Sequence, residues 1–268
     1  MRLSLSQSSF AYPARPPMLN VSHPAYTGLR MAPVAMPGGG MRDLLTNLTY
    51  SNTGNSYEAN ALGPVVVPGG TATTSGIAIP AVVAGELMNE VTYSVIFQAR
   101  TFTIGQGMVG DNYTNGGQYK IQTGNTPAIQ FVAQGVNIWS LSGVVAGHSY
   151  FAAVSIRKAV ASSSNSIVRN LTTGQLWTFT NVVGGSVTAV GASYNVVTYN
   201  VAGACNLGRV ACASLSMKYI KPADMLKWAK DPWALWYTPP AVSGTKTASV
   251  AVVVPPPGGN AAAIMIGV

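Results

Sequence analysis

Residues 91–100 read Val-Thr-Tyr-Ser-Val-Ile-Phe-Gln-Ala-Arg, and apolar and polar side chains alternate over most of this stretch. A period of two is the pattern of a β-strand with one buried face. The alternation returns at residues 129–133, 150–156, 177–179 and 211–217, and turn-forming Asn and Gly residues fall between these stretches. Many short strands joined by such turns predict an all-β protein, either an antiparallel sandwich or a barrel.

One stretch, residues 222–230, has the period of an α-helix instead. It begins with a proline, which suits the first position of a helix. Met225, Trp228 and Ala229 then fall on one face, with charged residues away from it. Pro232 ends the pattern, because proline pushes the preceding residue out of the α region. We therefore predict one short amphipathic helix over residues 222–230.

Aromatic residues offer two candidate ligand surfaces. Three of the five tryptophans lie in residues 226–240, in and directly after the predicted helix. They form either an aromatic binding surface or a segment that closes the fold. Trp139, Tyr150 and Trp177 sit on predicted strands and could line a sugar-binding face. Aromatic residues at alternating strand positions more often belong to the core, so we interpret these three as core residues.

The two ends of the chain differ in composition from the predicted sandwich. Residues 1–22 hold Ser, Pro, Arg and Met without any period, which is typical of an arm. Residues 238–268 are apolar, interrupted by Pro and Gly, and barely charged. We predict an N-terminal arm, a sandwich over residues 23–237 and a C-terminal arm, with both arms lying on neighbouring subunits. The β-branched residues expected to pair with another chain's sheet edge are Val250, Val252, Val253 and Val254.

Charged residues are scarce along the whole chain. They make up 8% of the 268 residues, against about a quarter in typical soluble proteins. The net charge is +8 and no basic run exceeds two residues, which disfavours a dedicated nucleic-acid groove. No apolar run is long enough to suggest a membrane span. We expect a surface that other chains cover, in a homo-oligomer or a larger assembly.

Catalytic patterns are missing from the sequence. Glu86 and Glu90 are the one close pair among seven acidic residues. No third carboxylate supports them, so we place both on a solvated turn. His23 and His148 lack the Asp and Ser context of a catalytic triad. The sequence therefore predicts no catalytic residue, no cofactor site and no enzyme activity.

Metal-binding patterns are weak. Asp111, Asn112 and Asn115 could supply oxygen ligands to calcium, but Asx side chains in a loop more often bond their own backbone. Cys205 and Cys212 are seven residues apart, and spacing alone leaves a disulfide open. We expect two free thiols, since nothing signals an oxidising compartment. Without a Cys/His cluster, no zinc site is predicted.

Two stretches resemble a known family. They are HPAYTGLRMAPVAMPGGGMRDLLTN at residues 23–47 and GRVACASLSMKYIKPADMLKWAKDPWALW at residues 208–236. Together they resemble the opening and the ending of laminin-G-like, concanavalin A-like domains of tailed phages and prophages. The resemblance implies a jelly-roll sandwich with a short C-terminal helix. The metal-ligand acids of some lectin relatives have no clear counterparts here, and Tyr-Ile-Lys-Pro replaces the usual Arg-Ala-Leu-Ser before the helix.

The resemblance also implies a role for the tryptophans. In such domains the helix and the Pro-Trp segment pack on the sandwich as a closing latch, here residues 222–237. Burying a large aromatic side chain contributes about 2–3 kcal/mol, and a helix of about nine residues cannot hold without such packing. We therefore predict a latch rather than a ligand surface. Its structural residues are Trp228, Pro232, Trp233, Leu235 and Trp236.

Two functions follow from the resemblance. The first is a non-enzymatic virion structural protein, assembled in the bacterial host cytoplasm, that decorates and stabilises a phage capsid. Its partners would be the major capsid protein or tail proteins. The second is a carbohydrate- or receptor-binding module of a phage tail, with a host surface glycan as its ligand.

Overall fold

The computed structural model describes residues 13, 16–38, 40–51, 54–67, 76–81, 86–100, 106–111, 119–123, 127–133, 136–157, 163–182, 193–199 and 208–237. Within these ranges the chain forms seventeen strands in two sheets and one α-helix. The paired strands run antiparallel throughout both sheets. This architecture confirms the predicted all-β, two-sheet sandwich with one short C-terminal helix.

The larger sheet has eleven strands, and β8, β13 and β17 lie near its centre. Its main path runs β15-β14-β13-β8-β17-β2-β3-β4, while β1 and β6 pair with β17 and β5 pairs with β6. The bounds are β1 Leu29–Met31, β2 Pro33–Ala35, β3 Met41–Asp43, β4 Thr49–Tyr50, β5 Ser56–Asn60, β6 Gly63–Val67, β8 Glu90–Ala99, β13 Ser149–Arg157, β14 Ser163–Asn170, β15 Leu176–Val182 and β17 Gly208–Ser216.

The smaller sheet has six strands in the order β12-β11-β10-β9-β16-β7. Its strands are β7 Ile77–Pro80, β9 Gln106–Asp111, β10 Tyr119–Thr123, β11 Ala128–Ala133, β12 Val136–Ser142 and β16 Ser193–Tyr199. Several residues of this sheet pack into the core between the sheets, and four of them form a row across four strands. That buried row consists of Val109, Ile121, Phe131 and Trp139.

The helix α1 spans Pro222–Lys230, the range that the sequence predicts. Pro222 occupies the start of the helix, and Met225, Trp228 and Ala229 form its buried face. Asp231, just before Pro232, has left the helical conformation with φ −128° and ψ 81°. The physical signals that set both ends of this helix are therefore local in the sequence.

The central strands of the larger sheet, β8, β13 and β17, are buried on both faces, which gives this part of the molecule three layers. One face packs on the smaller sheet through side chains such as Tyr93, Phe97 and Tyr150. The other face packs on α1 and the segment after it through Ile96 and Phe151. The prediction that residues 91–100 form a half-buried strand is therefore wrong. The polar positions of β8 lie under the third layer rather than in solvent.

Candidate functional site

The latch, residues 222–237, is the candidate site that the sequence singles out. The structure buries all five of its predicted residues, with Trp236 at 0% and Trp233 at 3% exposure. The indole Nε1 of Trp236 donates a hydrogen bond to the backbone oxygen of Ala213 in β17, at 3.1 Å. That bond ties the end of the latch to the centre of the larger sheet. Large aromatic groups buried in this way contribute to stability and leave no aromatic face for a ligand.

Trp228 is the centre of the aromatic cluster under the latch. Its ring lies 5.3 Å from that of Phe151 and 6.1 Å from that of Trp236, measured between centroids. Its indole Nε1 donates to the backbone oxygen of Pro232 at 3.2 Å. This bond folds the segment after the helix back onto the helix itself. Trp233 packs edge-on against Tyr237 at 5.7 Å, so the cluster continues to the end of the latch.

His23, at the N-terminal end of the sandwich, packs against the latch at its C-terminal end. Its ring meets that of Trp228 edge-on at 4.4 Å, and its Nδ1 accepts a hydrogen bond from the backbone N–H of Ala25 at 3.1 Å. Burial lowers the pKa of His23 to about 4, although the charge of Asp224 acts in the opposite direction. His23 is therefore a neutral packing residue at pH 7. Its low pKa makes the latch sensitive to acid.

The predicted N-terminal arm also touches the latch of its own chain. The backbone N–H of Met18 donates to the oxygen of Trp236 at 2.8 Å, and that of Asn20 donates to the oxygen of Leu235 at 3.0 Å. For these residues the prediction of contact with a neighbouring subunit is wrong. The reason is that the latch presents backbone acceptors that an extended segment can bind. Residues 1–12 lie outside the described residues.

The C-terminal arm, residues 238–268, lies outside the described residues as well. That range includes the four valines of the predicted assembly arm, and their role stays a prediction.

Buried hydroxyl groups line the sheet under the latch, and sequence reasoning missed them. The hydroxyl of Thr92 donates a hydrogen bond to the backbone oxygen of Lys218 at 2.6 Å. The hydroxyls of Thr92 and Ser155 share a second hydrogen bond of 2.9 Å. The Ser155 hydroxyl also accepts from the backbone N–H of Ile220 at 2.6 Å. These bonds satisfy the backbone that enters the helix. In the sequence these hydroxyls appear only as polar residues at alternating strand positions. A strand face exposed to solvent has the same pattern, so the sequence does not reveal that they are buried.

The two glutamates of the candidate carboxylate pair bind arginines instead of lying on a solvated turn. Glu86 forms an ion pair with Arg30 at 2.5 Å, with about a quarter of each side chain exposed. Glu90 pairs with Arg157 at 2.8 Å and accepts from the backbone N–H of Tyr219 at 3.2 Å. The two carboxylates therefore serve separate contacts, and the structure does not join them in one site. The predicted solvated turn is wrong because both residues lie where strands bring arginines beside them.

A third glutamate holds two arginines at the other end of β8. Glu58 of β5 accepts hydrogen bonds from Arg209 at 2.9 Å and from Arg100 at 2.5 Å. The bond from Arg209 lowers the pKa of Glu58. Across the described ranges, the Nη1 of Arg209 and the Nε of Arg100 are buried atoms without a hydrogen-bond partner. The cluster ties β5, β8 and β17 together and carries a net positive charge.

The aromatic residues on the strands belong to the core. Trp139 and Tyr150 are buried between the sheets, and Trp177 is half-buried against the same core. Trp139 stacks on Phe179 at 4.6 Å with nearly parallel planes, and its indole Nε1 donates to the hydroxyl of Ser166 at 2.8 Å. A sugar-binding face built from these aromatic rings is therefore unsupported.

Neither candidate for metal or thiol chemistry forms a site within the described residues. No three His, Cys, Asp or Glu side chains lie close enough there to hold a metal ion. Asn112 and Asn115 fall outside those residues. Cys212 is a buried free thiol, and burial raises its pKa. Cys205 lies outside the described residues, so its state stays a prediction. No helix described in the structure is long and apolar enough to cross a membrane.

The solved structures that resemble this chain share its sandwich architecture. The sialidase of Trypanosoma rangeli in complex with sialic acid is similar with a TM-score of 0.56 and 9% identity, over 80% of this chain and 34% of the sialidase. The botulinum neurotoxin type G receptor-binding domain is similar with a TM-score of 0.51 and 7% identity, over 75% of this chain and 50% of that domain. The chain thus spans between a third and a half of these neighbours. No family model and no curated protein sequence matches it.

These neighbours correct one prediction. The prediction that the chain is not an enzyme is contradicted, because its fold recurs in the structures of sialidases, which are enzymes. At such low identity the likeness shows the fold alone. What the neighbours have in common with this chain is the β-sandwich, in proteins that include a receptor-binding domain.

Proposed function

We propose that this chain is a structural protein of a bacteriophage virion that decorates and stabilises the capsid. The two sequence stretches that resemble phage laminin-G-like domains support this proposal. The observation that carries it is the charge distribution. Among 268 residues only 8% are charged, and Glu58, Glu86 and Glu90 are all bound to arginines of the same chain. Few unpaired carboxylates therefore remain to make an exposed surface soluble.

A surface of this kind suits burial against other proteins. The buried centres of protein interfaces are depleted of charged residues, and a soluble monomer normally carries about three times the charged fraction found here. The partners in this proposal are the major capsid protein and further copies of the same chain. The C-terminal segment that includes Val250, Val252, Val253 and Val254 serves as the assembly arm.

The experiment is to purify phage particles from a bacterial host in which this chain is also produced. The proposal expects the chain in the particles in many copies, with sandwich-shaped density on the capsid in a cryo-EM map. Deleting residues 240–268 should leave the chain out of the particles. Particles that lack the chain altogether would overturn the proposal.

A second function, a receptor- or carbohydrate-binding module of a phage tail, is favoured by one feature. One face of the smaller sheet carries a row in which Gln122, Gln130 and Ser140 are paired across three strands, with the two glutamines partly exposed and Ser140 exposed. The amide Nε2 of Gln122 donates to the Oε1 of Gln130 at 2.9 Å. These amide and hydroxyl groups form a polar surface that a sugar hydroxyl can reach.

The same cryo-EM map separates the two functions, because a tail module would appear at the tail. A glycan array gives an independent test. Binding that is lost in Gln122→Ala or Gln130→Ala, and kept in the exposed-site control Ser51→Ala, would favour the binding module. Failure to bind any glycan would leave the capsid proposal as the better one.

A further inference from the structure

One side of the sandwich ends in two uncharged edge strands. β15 is the edge of the larger sheet, and β12 is the edge of the smaller sheet. Trp139 of β12 stacks on Phe179 of β15, so the two edges lie on the same side of the molecule. We call this side, formed by residues 136–142 and 176–182, the open side. Neither strand contains a charged residue.

The opposite edges are protected by their length and sequence. β4, at the other end of the larger sheet's main path, has two residues. β7, at the other end of the smaller sheet, has four residues and ends in Pro80, which has no N–H to donate. Short strands and prolines are devices that keep sheet edges from pairing with other chains. Among the described residues, one side of the sandwich therefore carries these protecting features and the open side does not.

β15 is the better template of the two open edges. All seven of its residues pair with β14 in one continuous register, from Leu176 opposite Arg169 to Val182 opposite Ser163. Within the part of the chain that the structure describes, no second strand pairs with β15. β12 instead has a register shift opposite Phe131 and Val132, and such a bulge disrupts the spacing that an added strand needs.

The side chains of β15 also suit an added strand. Trp177 and Phe179 are half-buried against the core, while Thr178 and Thr180 are exposed on the other face. A strand added at this edge would cover the exposed flanks of the two aromatic rings and extend the core sideways. A regular, uncharged edge of this length is an aggregation hazard in a free monomer. Its presence therefore indicates that something covers it.

We propose that β15 binds residues 248–254 of a second copy of this chain as an added β-strand, an inference that rests on the proposed function. The segment reads Ala-Ser-Val-Ala-Val-Val-Val and lies between Lys246, the single charged residue after Asp231, and Pro255. Its seven residues match the seven of β15, which span about 23 Å when extended. Backbone hydrogen bonds supply the affinity of such strand addition, and apolar side chains add to it.

The test uses the full chain in solution. Sedimentation velocity over a range of concentrations measures self-association, and hydrogen exchange locates the amides that become protected. We expect Leu176–Val182 to become protected as the concentration rises, while β7 stays unchanged. Thr178→Lys on the edge and Val252→Lys in the segment should each weaken association by roughly tenfold or more, because a charge at a strand edge opposes pairing.

Ala78→Lys is the matched control, because Ala78 is an exposed position on β7, an edge strand of the protected side. It should associate like the unmodified chain. The proposal is overturned if Thr178→Lys associates as well as Ala78→Lys. It is equally overturned if β15 is protected at every concentration in a monomer, since the strand would then be covered within its own chain. Protection confined to β12 would also overturn it.

The solution experiment and the particle experiment can fail separately. Concentration-dependent protection of β15 in a chain that is absent from particles would remove the proposed function and keep this inference. If the chain enters particles equally well with and without Thr178→Lys and shows no protection of β15, the proposed function stands and this inference is removed.

Discussion

The face of the larger sheet that meets the smaller sheet is mainly apolar, whereas the face under the latch uses buried hydroxyls to bond the backbone that leads into the helix. On the first face, Tyr93, Phe97 and Tyr150 pack with aliphatic residues of the smaller sheet. On the second, Ser94 and Ser214 share a hydrogen bond of 2.6 Å beneath the latch. The difference teaches that two sheets can pack mainly through their side chains, because their backbone groups are already paired, while a helix and an irregular segment also need partners for backbone groups.

The largest effect should come from emptying the aromatic cluster under the latch. Trp236→Ala and Trp233→Ala should each lower the free energy of unfolding by about 3–5 kcal/mol, the usual cost of removing a large buried aromatic group. Denaturant titration measures the loss. Trp177→Ala, which truncates a half-buried ring of the other core, is the control and should cost less. Equal losses in the three variants would remove the distinction between the two faces.

Acid should weaken the latch face through His23. The pKa of this histidine is about 4 in the folded chain, against about 6.5 when unfolded. Below pH 6.5 the unfolded chain therefore binds the proton more readily. Stability falls as the pH drops from 6.5 to 4, by about 3 kcal/mol, and changes no further below that through this group.

His23→Asn is the variant that isolates this effect. Its side-chain oxygen can still accept the hydrogen bond from Ala25, but it does not titrate. The difference in stability between the unmodified chain and this variant should therefore change between pH 7 and pH 4. A constant difference across that range would contradict the buried, neutral histidine.

A smaller effect should follow from removing one hydroxyl under the latch. Ser155→Ala leaves the N–H of Ile220 buried without its acceptor, and we expect a loss of about 1–3 kcal/mol. The double variant Ser94→Ala/Ser214→Ala removes both partners of one bond and should cost less than the single change. Thermal or chemical unfolding compares them. A larger loss in the double variant would count against the role given to the hydroxyls.

The smallest effect should come from the ion pair between Glu90 and Arg157, since over a third of each side chain is exposed. Glu90→Gln should change stability by at most about 1 kcal/mol, and less in high salt. A loss as large as that of Trp236→Ala would mean that this pair, rather than the aromatic cluster, holds the chain after β17 in place.

Local patterns in the sequence predict much of this fold. The period of two at residues 91–100 indicates β8, and the proline, the apolar stripe and Pro232 define α1. The same pattern does not reveal the third layer, because a threonine such as Thr92 gives the same alternation whether it faces water or bonds the backbone oxygen of Lys218. The ion pairs were missed for a related reason. Glu86 and Arg30 are 56 residues apart, and only the sheet topology brings them together.

The most direct test of the latch as a third layer is hydrogen exchange at its indole groups, followed by NMR. The Nε1 protons of Trp228 and Trp236 are bonded to backbone oxygens in buried sites, so they should exchange only when the latch opens or the chain unfolds. The account predicts that both signals persist long after those of exposed groups have vanished. Exchange of these protons as fast as that of exposed side chains would contradict it.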